Sequence, residues 1–96
     1  SAAPAELTLG DVFDGLNRLV EQQLSLPAEE RSELVAALEG LRQELAAAAP
    51  DLDHVRDRRA AITQRWPWVA PALDVAFQQP PVAAALARAA SSYTSS

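Results

Sequence analysis

The sequence predicts an all-α protein, a compact four- or five-helix bundle built on an antiparallel helical hairpin. Three observations predict it. Apolar residues recur at spacings of three, four and seven along most of the chain, the period of a helix that buries one face. Proline, Asp and Thr, which stop or start helices, fall between these periodic segments. No segment alternates apolar and polar residues as a half-buried strand does. Ninety-six residues suit one domain, above the roughly 70 to 80 residues below which a lone core usually needs a staple. The boundaries read as a lead-in over 1–7, one helical domain over 8–90 and a flexible tail over 91–96, "SSYTSS".

Thr8 can cap the first helix, with Asp11 at the third helical position where a carboxylate favours the positive end of the helix. Its stripe is Leu9, Val12, Phe13, Leu16, Leu19, Val20 and Leu24, opposite Asp14, Asn17, Arg18, Glu21 and Gln22. "SLPAEERSEL" restarts the helix. Pro27 suits the first helical position, which needs no N–H, and Glu29, Glu30 and Glu33 suit the N-terminal end. This second helix is expected to reach about Ala49, with Leu34, Leu38, Leu41 and Leu45 as its seam. Gly15 and Gly40 fall inside these helices and mark a kink or a close approach.

Pro50 ends the second helix, and Asp51 can cap a third through "DLDHVRDRRAAITQRW". Leu52, Val55, Ile62 and Trp66 form its stripe. Arg58 and Arg65 lie along one edge of that stripe and Arg59 along the other. Pro67 stops or kinks the chain, a fourth helix runs around Val69, Leu73 and Phe77, and a last one begins at Pro80 and Pro81 with Val82, Leu86, Ala89 and Tyr93. Were the helix to continue through Pro67, Trp66 and Trp68 would point about 200 degrees apart. One of them therefore needs a second surface. The prolines can supply it by folding the C-terminal helices back over the hairpin.

Composition narrows the function. A net charge of -5 from thirteen acidic and eight basic residues disfavours nucleic acid, whose binding depends on neutralising phosphates. The absence of cysteine removes disulfides and thiolate chemistry. No apolar run approaches the roughly 18 to 20 residues of a membrane span, no targeting pattern is legible, and a cytoplasmic location is expected. All eight basic residues are Arg and alanine is about a fifth of the chain, a bias that reads as a GC-rich bacterial genome.

Asp53, His54 and Asp57 are the densest candidate ligands, but His54 points about 100 degrees from Asp53 on a helix. Read as a calcium loop from Asp51, the segment has Arg56 where glycine is required and Ile62 where the closing Glu belongs. No metal or cofactor is expected. The glutamates of the second helix lack any sign of the desolvated pocket that would separate their pKa values, and no nucleophile motif or phosphate loop occurs. The expectation is a protein that is not an enzyme.

In "LPAEERSELVAALEGLRQEL", "PDLDHVRDRRAAI" and "WVAPALDVAFQQPPVAAAL" the order of elements resembles helical accessory segments of modular bacterial abortive-infection or effector-associated proteins. That likeness covers roughly residues 26–86 and implies assembly or recruitment rather than catalysis. The hairpin also looks like the dimerising helices in docking regions of polyketide assembly lines, although the acidic docking helix of that family has no counterpart here.

The expected function is thus a non-catalytic interaction or oligomerisation module, part of a larger bacterial protein, whose partner is another protein or another copy of itself. An acidic regulatory or inhibitor protein and a bundle enclosing a small apolar ligand are the alternatives. Leu16, Leu38, Ile62 and Trp66 are expected in the core. Arg58, Arg65, Trp68 and Phe77 are the candidate partner-binding residues, because arginines around an apolar centre are the composition of interaction hot spots.

Overall fold

A computed structural model describes residues 6–94, and side chains as far as residue 91. Among these residues there are five α-helices and no strand: α1 Leu9–Glu21, α2 Ala28–Ala46, α3 Leu52–Arg65, α4 Ala70–Phe77 and α5 Pro80–Thr94, with a 3-10 turn at Pro67–Val69 between α3 and α4. The fold is an all-α bundle. α2 is central, packing against α1, α3 and α5, and the short loops make its pairings with α1 and α3 antiparallel. α4 folds back onto α1 and α3, and α5 closes over α1, α2 and α3.

Caps explain the starts of α1 and α3. The Thr8 hydroxyl accepts from the Asp11 N–H at 3.1 Å while the Asp11 carboxylate accepts from the Thr8 N–H at 3.0 Å, a reciprocal box that satisfies two donors. Asp51 accepts from the N–H groups of Asp53 and His54. The His54 ring, 2.9 Å from Glu44, then ties the start of α3 to α2.

Two helix ends differ from the sequence reading. α1 stops at Glu21, and Leu24, expected in its stripe, is 89% exposed. The cause lies downstream: the Arg31 guanidinium donates to the carbonyls of Glu21, Gln23 and Leu26 and gathers the chain into a loop before Pro27. Pro27 itself is the cap and not the first helical residue. α2 ends at Ala46 instead of Ala49, turned out by an extended Ala47, while Arg88 of α5 donates to the Leu45 carbonyl at 2.9 Å. Arg31→Ala is expected to cost about 1 to 3 kcal/mol, since charge-assisted hydrogen bonds are the stronger class. Urea unfolding measures it, and Arg31→Lys should recover only part because lysine lacks the fork.

The core is continuous. Leu16, Leu38, Ile62 and Trp66 are all in it, as expected, joined by the whole α2 seam and by Val20, Val55, Val69, Leu73 and Val82. The prolines act as the sequence implied: α3 ends before Pro67, and the turn that follows carries Val69 and then Leu73 into the core. α5 continues to Thr94, past the expected boundary at 90, while residues 1–5 of the lead-in and 95–96 of the tail lie outside the described residues.

Candidate functional site

The four residues expected to bind a partner do not converge. Arg58 and Arg65 border a pocket of about 260 Å³ between α2 and α3, floored by Ala37, Ile62 and Trp66. Arg65 pairs with Glu33 across its mouth and lies over the Trp66 ring, 4.7 Å from its centroid. The guanidinium therefore serves the α2–α3 contact. Arg58 makes no ion pair among the described residues, and its Nη1 reaches toward Gly40. Phe77 is on a different side. Arg59 covers its ring at 4.2 Å and pairs with Asp74, pinning α4 to α3. Trp68 stands apart from both, 37% exposed, whereas Trp66 is 5% exposed.

A second surface was not visible in the sequence. α1 and α4 leave between them an open groove of about 480 Å³, walled by Val12, Leu16 and Leu19 on one side and Ala72, Val75 and Ala76 on the other. Leu7 closes one end, and Asp11 and Gln79 supply polar atoms. Val12, Leu16 and Ala76 are buried at its base, and the exposed apolar residues are Val75 at 58% and Leu7 at 46%. Single exposed apolar residues are ordinary, but a contiguous apolar concavity points to an interaction surface. Trp68, in the 3-10 turn before α4, is not among the residues that line the groove.

Gly15, itself exposed, lines the α1 side of the groove. Glycine in a helix interior costs about 1 kcal/mol relative to alanine, and a Cβ at this position would meet nothing within 4 Å. Gly15 therefore makes no close approach inside the chain, and the space beside it is open. A signal for the groove did exist. "APALDVAF" has Asp74 as its one charged residue, and a helix apolar nearly all round cannot bury every face in a small bundle.

Other chemistry is sparse. Among the described residues no group of three or more His, Asp or Glu side chains is placed to hold a metal ion, and none of the described helices is long and apolar enough to cross a membrane. A hydrogen bond from Arg42 holds the Glu39 carboxyl below its ordinary range, but that pair lies on the solvent face of α2, away from both surfaces. The Trp66 Nε1 is buried without a hydrogen-bond partner. Comparison with protein-family models, with curated proteins and with solved structures finds no match to this chain. Its class therefore rests on its own architecture, an all-α bundle with an exposed apolar groove.

Proposed function

We propose that the chain is a non-catalytic interaction module that binds another protein, or another copy of itself, through the groove between α1 and α4. The observation that carries this reading is the groove itself, a contiguous apolar concavity left open in a bundle whose other large apolar residues are mostly covered. Arg65 and Phe77 already have partners within the chain, so the groove is the better supported face. The reading fits a recruitment or assembly segment of a larger bacterial protein, as the order of helices suggests.

A display library of helical peptides, selected on the wild-type chain and counter-screened on Val75→Asp, tests it. Val75 is too exposed for the substitution to threaten the core, yet a carboxylate there should lose most groove binding. Enrichment of sequences that require Val75, or a dimer by light scattering that Val75→Asp dissolves, supports the reading. A monomer that enriches no such sequence contradicts it.

A further inference from the structure

We infer that the α1/α4 groove receives a short amphipathic helix of a partner protein, with basic residues clustered at one end of its apolar stripe. This rests on the groove being the interaction site. It adds the occupant.

Shape sets the first term. Asp11 to Leu19 on α1 covers about 12 Å at the helical rise and Ala72 to Phe77 on α4 about 8 Å, with Gln79 just beyond it, about two turns and one and a half. Such walls suit a helix that inserts side chains at i, i+3 or i+4, and i+7. Gly15 supplies the close approach. Nothing inside the chain lies within 4 Å of a Cβ placed there, whereas at Gly40 the Cβ would come 2.9 Å from Arg58 Nη1. The chain's own packing accounts for Gly40 and leaves the space beside Gly15 to an incoming group. Open along its length, the groove lacks the enclosure that buries a small apolar ligand.

Charge sets the second term. Glu6 and Asp11 lie at the Leu7 end of the groove, and α4 contributes no cation. Asp74, the one charged residue of α4, is engaged by Arg59. The acidic end of the groove therefore favours basic groups at one end of the occupant. A second copy fits less well. A two-fold antiparallel contact centred on Gly15 would set Asp11 against Leu19 of the other copy, between chains that each carry -5.

The test is fluorescence anisotropy with a labelled, cross-linked synthetic helix bearing leucines at i, i+3, i+4 and i+7 and arginines at one end. A twin carries glutamates in place of the arginines. The arginine peptide is expected to bind more tightly than its twin and to weaken with salt. Gly15→Leu, which fills the groove at a position open enough to accept it, should lower affinity at least about tenfold while the fold is retained by circular dichroism. Glu6→Gln with Asp11→Asn should weaken the arginine peptide and leave its twin unchanged. Equal binding of both peptides, lost on Gly15→Leu, overturns the basic occupant and leaves the groove reading standing. Undiminished binding to Gly15→Leu overturns both. No binding of either peptide to the folded wild type overturns the inference, and the display selection then judges the groove reading separately.

Discussion

Trp66→Ala is expected to destabilise the bundle by about 3 to 5 kcal/mol, the range for removing a buried aromatic side chain, while Trp68→Ala should cost about 1 kcal/mol or less. Two residues apart, these tryptophans belong to different environments. Trp66 packs in the core with Ile62 beside it and the Arg65 guanidinium over its ring, so its loss leaves a cavity against helices that cannot collapse freely. Trp68 sits in the turn after Pro67, more than a third exposed, and its removal mainly returns a partly wet surface to solvent. Against a typical total of about 5 to 15 kcal/mol, the first change is a large fraction of stability. Urea unfolding followed by circular dichroism separates them, and equal costs would place both indoles in the core. Trp66→Phe should fall well short of the alanine cost, because it keeps a ring and removes an unpaired buried N–H.

Leu73→Ala should cost about 2 to 5 kcal/mol and act mainly on α4. That helix spans only Ala70–Phe77, and an isolated helix below about 12 to 15 residues is marginal in water. Packing must therefore hold it, and Leu73, fully buried, is its principal anchor. The Arg59–Asp74 pair and the cover over Phe77 lie at the surface and offset little of the loss. Hydrogen exchange should accelerate in α4 before it does in α2, and groove binding should fall although no groove residue has changed. Uniform acceleration through all helices would show instead that α4 is not a separable unit.

Much of the fold was legible because its signals are local. Thr8 with Asp11, and Asp51 with the N–H groups that follow it, announce helix starts within a few residues. Pro50, Pro67 and the Pro80–Pro81 pair announce breaks in the same way. The fate of Leu24 was not legible, since its exposure is decided by an arginine seven residues later that collects carbonyls from the loop. The candidate site failed for a similar reason. Arginines beside an apolar seam can be seen in sequence, but not that Arg65 finds Glu33 and the face of Trp66, or that Arg59 rather than Arg58 covers Phe77. The groove depends on which face of α1 receives α4. Several helix arrangements satisfy the same stripes, so Gly15 could be noticed without its purpose being read.

Amide chemical-shift mapping of the isotopically labelled chain, titrated with the arginine-ended helix, tests the central claim most directly. The account predicts shifts concentrated at Leu7, Asp11 to Leu19 and Ala72 to Gln79, with α3 around Arg58 and Arg65 little changed. Shifts centred on Arg58 and Arg65, with the groove residues unmoved, would contradict it.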